Sequence, residues 1–292
     1  MTRIKIKSAG TRLSSIKTSV RYVSLHLAAF ALLMCPSYAG SNGPEPQSSA
    51  SDLVKDMVAN ELIDRAEQSN WIYRVSKVIE QQTLSELEVE TKDGPVHRLL
   101  AINYAPLDSA QQEQETARLD QLVRDPSQQL AVKKQYDADE RRLENLVRLL
   151  PSAFVYQYES RNGPYLRLNF RPNAAFVAPT QESKALQSMA GTILVDPEQK
   201  RLAHLSGHLV ENVDFGFGIL GRIAKGGTFE IERTQVSSSH WKTHLIDIHI
   251  NGRMLLFKTI SKQQHETRSD FEPVSKDLDL RQAEELLQSR PD

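Results

Sequence analysis

The spacing of apolar side chains changes period several times along the chain, and each change marks an element. Over 52–68, Val54, Met57, Val58 and Leu62 recur at helical spacing, which predicts a helix with one apolar stripe; Ser49 and Ser51 are available caps. The period then drops to two. Trp71, Tyr73 and Val75 alternate with Arg74 and Ser76, as in a strand. In 83–104, Asp93-Gly94 lies between two alternating runs and predicts a hairpin. Residues 108–150 turn helical again. They hold 16 charged side chains, break at Asp125-Pro126-Ser127, and place Tyr136, Leu143, Val147 and Leu150 on one side of the second half. This is a charged helical arm, either packed along another element or partly projecting.

From 153 onward the pattern is nearly unbroken alternation punctuated by turn signals. Asn162-Gly163, Pro197-Glu198-Gln199, Lys225-Gly226-Gly227 and Asn251-Gly252 are read as hairpin turns, with a short helix at 181–189. A last helix begins at Asp279, whose carboxylate forms a capping box with Gln282; Leu280, Ala283 and Leu287 make its stripe. Strands joined by tight turns are antiparallel neighbours. Several are apolar on one side only: Phe215, Phe217 and Ile219; Phe229 and Ile231; Ile246, Ile248 and Ile250; Leu255 and Phe257. Parity across the expected turns puts these ten on one interior. The expected fold class is α+β, a strongly curved antiparallel sheet of about 10–11 strands forming a half-barrel, with helices on its concave side, because flat open sheets of that size are uncommon.

Composition changes the picture mainly at the N-terminus. Residues 1–39 carry six basic side chains and no acidic one, while the whole chain has a net charge of −1, so the remainder stands at −7. An acidic body excludes nucleic acid as the expected partner, since that partner selects a basic face. The basic segment runs into VSLHLAAFALLM (23–34), too short to span a bilayer, then Cys35, Pro36 and Ser37-Tyr38-Ala39. This order predicts a signal peptide cut between Ala39 and Gly40, followed by a flexible leader over 40–51 and a single domain over 52–292 with the arm at about 108–150 as an insertion. The rival reading, lipid anchoring through Cys35, has Met34 in a position where a lipobox wants a small residue. Either way the expected location is the periplasm or beyond, with peripheral membrane contact or none. Cys35 is the one cysteine, so no disulfide or thiolate metal site is expected in the body.

Two stretches then carry a resemblance. MAGTILVDPEQKRLAHLSG (189–207) and LLFKTISKQQHETRSDFEPV (255–274), the latter followed by a short helix, resemble the periplasmic lipoprotein-carrier (LolA/LolB-like) superfamily. FRPN (170–173), MAGTILVD (189–196), VDFGFGILGRIAKGG (213–227) and LLFKTI (255–260) resemble, more closely, an uncharacterised family of bacterial secreted proteins with lipoprotein-sorting-like character, over about 150–290. The resemblance implies a LolA-like half-barrel and a lipid or acylated protein as ligand. The arm has no counterpart in the carrier pattern.

Candidate chemistry is sparse. Gly216-x-Gly218-x-x-Gly221 matches a dinucleotide fingerprint in letters, but strand rather than helix follows, so the pyrophosphate would lack its helix N-terminus. Gly216 and Gly218 read instead as packing glycines on a strand. His204 and His208 share a strand face, as do His240 and His244, and Asp247 and His249 share the other parity; no convergent ligand set of fixed spacing accompanies them, so no metal site and no cofactor is expected. Ser206 stands ~6.5 Å along the strand from each neighbouring histidine, too far for a direct hydrogen bond. With no nucleophile elbow, no catalytic residue and no enzymatic activity is expected. Two readings remain open. In one, the apolar interior binds a lipid or an acylated protein. In the other, the interior is filled and the protein is a structural or interaction module of the envelope, acting on a protein partner through its helical arm.

Overall fold

The computed structural model describes residues 49–291 except 68, 80, 216–220 and 255–257, together with the backbone alone at 215, 253, 254 and 258–262. The signal-peptide reading, including Cys35, Ala39 and Gly40, lies outside these residues.

Helix α1 (Ala50–Ala66) starts where Ser49 accepts a hydrogen bond from the Asp52 amide at 3.1 Å. The strands follow as β1 (Asn70–Ile79), β2 (Gln82–Val89), β3 (Val96–Ile102) and the two-residue β4 (Ala105–Pro106). Then come α2 (Ser109–Arg124) and α3 (Pro126–Ala153). Asp125 ends the first of these helices, and its carboxylate accepts from the Ser127 and Gln128 amides to begin the second. Next are β5 (Phe154–Asn162), β6 (Tyr165–Pro172), a 3₁₀ helix (Glu182–Ser188), β7 (Met189–Asp196), β8 (Arg201–Leu209), β9 (Val213–Phe215), β10 (Gly221–Ile223), β11 (Thr228–Gln235), β12 (Trp241–Met254), β13 (Lys258–Val274) and α4 (Leu280–Ser289). Asp279 and Gln282 close the expected capping box on α4.

The strands form one 13-stranded antiparallel sheet that is not closed into a barrel, in the order β4-β3-β2-β1-β13-β12-β11-β8-β7-β6-β5. β9 and β10 sit off this path: β10 pairs with β9 and with the end of β12. β12 is long enough to pair with β11 through its first part and with β10 through its last, so β10 and β11 lie end to end in one lane.

Directly opposed residues of an antiparallel pair share a face. Ile246 pairs with Glu266 and Glu266 with Lys77, so Ile246 shares a face with Trp71, Tyr73 and Val75, and Ile72 points the other way. On the first, inner face, α1 buries Leu53, Val54, Met57 and Val58 in one cluster with side chains of β5–β8 and β11–β12. On the outer face, Ile72, Leu87 and Val89 pack with Leu119 and Leu122 of α2 and with Ala283 and Leu287 of α4.

The architecture departs from expectation in four places. Helices cover both faces rather than one side, because β1–β3 present Ile72, Leu87 and Val89 outward and that apolar surface also needs a cover. The strand count exceeds 10–11: Asn103 and Tyr104, with φ of 51° and 65°, form a two-residue loop that folds β4 back on β3. The run 213–223 is not one strand, since β9 and β10 pair antiparallel, Phe215 opposite Gly221. Finally, two turn signals do not make hairpins. Lys225-Gly226-Gly227 joins the collinear β10 and β11, with Leu209 exchanging backbone hydrogen bonds with this loop. Asn251-Gly252 lies inside β12, paired with Ser261 and Ile260. There the glycine serves a crossing: a Cβ on Gly252 would stand 2.6 Å from the carbonyl oxygen of Arg222.

The arm does not project. Lys133 reaches Asp93 at 3.3 Å, Glu140 reaches Arg65 of α1 at 2.7 Å, and Leu146, Val147, Leu149 and Leu150 pack against the inner cluster.

Candidate functional site

The structure brings part of the expected interior together. Phe229 pairs with Ile248 and Ile231 with Ile246, and Phe229, Ile248 and Ile250 are buried in the inner cluster, with Ile246 packed against it. Ile231, opposite Leu205, is half-buried on the same face. The side chain of Phe215 and residues Phe217, Ile219, Leu255 and Phe257 lie outside the described residues, as do Gly216 and Gly218. The turn expected at Asn251-Gly252 is not there, since β12 continues to Met254.

A row of opposed residues crosses the middle of this face: Phe170, Gly191, Gly207, Phe229, Ile248. A Cβ on Gly191 would fall on the backbone of Ser206, and one on Gly207 would stand 2.9 Å from the Phe229 ring. Two glycines let β7 and β8 approach closely while the flanking rings fill the space above them.

Beyond the apolar part, α1 is fastened by charge. Glu61 accepts from the Arg233 guanidinium and, at 3.3 Å, from the Leu202 amide. Asp64 lies 2.6 Å from Arg201 and 2.7 Å from Nδ1 of His240. Arg201 also donates to the carbonyls of Asn60 and Ser239, and Arg233 to that of Trp241. Asp64, Glu67 and His240 could converge on a cation by spacing. Arg201 already occupies Asp64, however, so a second positive charge there would meet the guanidinium.

At the β1–β2 end the inner face is polar and buried. Tyr73 donates to Glu88 at 2.6 Å, Lys77 meets Glu86 at 2.5 Å, and Lys242 holds Glu90 at 2.7 Å. Burial pushes the carboxyls of Glu86 and Glu90 above the usual carboxylate range and the Tyr73 phenol well above its own. Burial, with Arg118 and Lys77 adding repulsion, lowers His97 to about 4. A histidine depressed in the folded state contributes stability that is complete above its unfolded value, near 6.5, and is lost as pH falls from there towards 4. The raised carboxyls act in the opposite sense, so the contribution is isolated by difference. Urea melts of the wild type and His97→Gln should agree in pH trend above 7. Between pH 6.5 and 4 the variant should gain on the wild type by at most about 3 kcal/mol. A parallel trend throughout would show His97 titrating freely.

The outer face across β8, β11, β12 and β13 carries most of the histidines. His204 Nε2 stands 2.9 Å from Glu230 Oε1, and His244 Nε2 stands 2.9 Å from Glu232 Oε2. Asp247 lies 3.0 Å from both His249 and His265. Glu230 is directly opposite Asp247, and Glu232 opposite His204. A shallow concavity of about 350 Å³ opens beside them, with Thr192, Ser206, His208, Thr228 and Glu230 among its walls. Donor atoms of His204, Glu230 and Glu232 all fall within 4.8 Å of one another. Sequence parity paired His240 with His244, but the structure separates them. β12 has one extra residue where Glu232 opposes Leu245 and Arg233 opposes Thr243. That bulge turns His244 to Glu232, whereas His240 meets α1. Bulges re-aim side chains in this way, and nothing in the local sequence marks this one. Sequence reasoning had Asp247 and His249 on one parity but missed the carboxylates, which come from a strand whose lane is set by β8 and β12.

No family model matches the chain, and neither does any curated protein or solved structure. Among the described residues no helix is long and apolar enough to cross a membrane.

Proposed function

We propose that this is a non-enzymatic cell-envelope protein with a LolA/LolB-like sheet whose interior is filled by its own first helix, and that it serves as an interaction module rather than a lipid carrier. The observation that carries this reading is the single cluster in which Leu53, Val54, Met57 and Val58 of α1 are buried with Phe229, Ile248 and Ile250. An acyl chain would gain ~0.8 kcal/mol per buried CH₂, but it would have to displace side chains that already collect the same gain. The charged clamp at Glu61 and Asp64 adds to the cost of lifting α1. Partner binding then falls to the outward side of α2 and α3, where Glu113, Lys134 and Arg141 are exposed.

Native mass spectrometry of the protein purified from its own cell envelope tests this directly. The expected spectrum is apoprotein, free of lipid adducts. Alongside it, Ile248→Trp overpacks the interior and should lower the unfolding free energy by ~1–3 kcal/mol. A bound lipid in the wild type, lost in a stably folded Ile248→Trp, would replace this reading with the carrier one.

A further inference from the structure

We infer that His204, Glu230, Glu232 and His244 form a binding site for a divalent transition-metal ion of the zinc class on the outer face of the sheet. The argument begins with charge. Glu61, Asp64, Glu86, Glu90 and Glu266 each meet a lysine or arginine. Glu230 and Glu232, by contrast, form ion pairs only with histidine among the described residues. Imidazole nitrogen is also the commonest side-chain ligand for a transition-metal ion. Two carboxylates two residues apart on one strand face, each touched by an imidazole nitrogen, present the charge and the ligand atoms that a dication takes up together.

Geometry supports the donor set. Two imidazole nitrogens and two carboxylates are a zinc-type complement, held at about 2.0–2.2 Å from the ion. Three of the donors already lie within 4.8 Å of one another, and His244 Nε2 is 2.9 Å from Glu232. His204, Glu230 and Glu232 are the converging set, and His244 stands beside it through its contact with Glu232. The ligands stand on three adjacent strands, β8, β11 and β12, so their backbone spacing is fixed by the ladder. The β12 bulge delivers His244 to the side on which His204 stands; without it, strict alternation would turn His244 away from Glu232. The neighbouring Asp247, His249 and His265 form a second, separate group, and the concavity beside Glu230 leaves the site open to solvent.

The test is calorimetric titration of zinc chloride into chelator-treated protein at pH 7.5, repeated at pH 5.5. One zinc ion per chain is expected, with weaker binding at the lower pH because protons compete with a metal for its ligands. His204→Ala and Glu232→Gln should each weaken binding by at least ~10-fold, the loss that even an outer partner of a metal ligand causes. His240→Ala and His249→Ala should leave it within a factor of two to three. Thermal melts without zinc establish that the variants are folded, which is expected because these side chains lie at the surface. Absence of binding, or equal binding by wild type and the His204→Ala/Glu232→Gln double variant, would overturn the site. An equal loss in His249→Ala would assign the ion to the Asp247 group and overturn it as well.

Discussion

Glu61→Ala is expected to remove ~3–5 kcal/mol of folding stability, the loss typical of breaking one partner out of a buried ion pair. The Glu61 side chain is 11 % exposed, and those of Arg201 and Arg233, which face it, are 7 % and 14 % exposed. Arg233 would lose its closest anion, and the Leu202 amide its acceptor. Asp64 alone would then face two guanidinium groups, since it already serves Arg201. The uncompensated charge, rather than the missing attraction, dominates the cost. Urea melts of Glu61→Ala, Arg233→Met and the double Glu61→Met/Arg233→Met measure this separately. The double variant should recover most of the loss, because an apolar pair of similar volume leaves no orphan charge. A single-variant loss below ~1 kcal/mol would mean that water reaches the cluster and α1 is held by its apolar side alone.

This clamp was invisible in the sequence, and the reason is distance along the chain. Glu61 and Asp64 meet partners about 140–170 positions away, and nothing local to α1 distinguishes them from a solvated helix face. Features whose determinants are neighbours were legible. The α4 capping box needs only Asp279 and Gln282, the α2–α3 break only Asp125-Pro126, and the β5–β6 hairpin turns at Gly163-Pro164, one residue on from the Asn162-Gly163 signal, where Gly163 takes a φ of +59°. Asn251-Gly252 carried the same local signal yet lies within a strand. Its glycine answers the approach of Arg222 from β10, a tertiary requirement that a two-residue motif cannot separate from a turn.

The outer-face histidines show the same division. Alternation correctly set His204 and His208 on one face, because β8 is regular there. It failed for His240 and His244, because a bulge shifts the register between Glu232 and Arg233. Period-two reasoning propagates through a regular ladder and inverts at a single inserted residue. Glycines drew attention at 216 and 218, but those whose packing role the structure displays are Gly191 and Gly207. Each stands inside a strand, in MAGTI and LSGHL, and that position was the available signal of close backbone approach.

Those glycines make Phe170 the most costly single truncation in the core, with an expected loss of ~3–5 kcal/mol for Phe170→Ala. Phe170 is 3 % exposed and opposes Gly191, which has no side chain to pack beside it. It meets Phe154 edge-to-face, with ring centroids 4.9 Å apart, and Tyr156 at 6.2 Å. Removing the ring deletes both contacts. It also opens a void opposite Gly191, which has no side chain to fill it. The neighbouring lane offers a control. Ile231→Val removes one methylene from a half-buried position and should cost at most ~1.5 kcal/mol. Chemical denaturation of both variants, read by tryptophan fluorescence, provides the comparison. A Phe170→Ala loss no larger than that of Ile231→Val would mean that the row of Phe170, Gly191, Gly207 and Phe229 repacks freely. The interior would then have the give of a ligand cavity rather than the stiffness of a filled core.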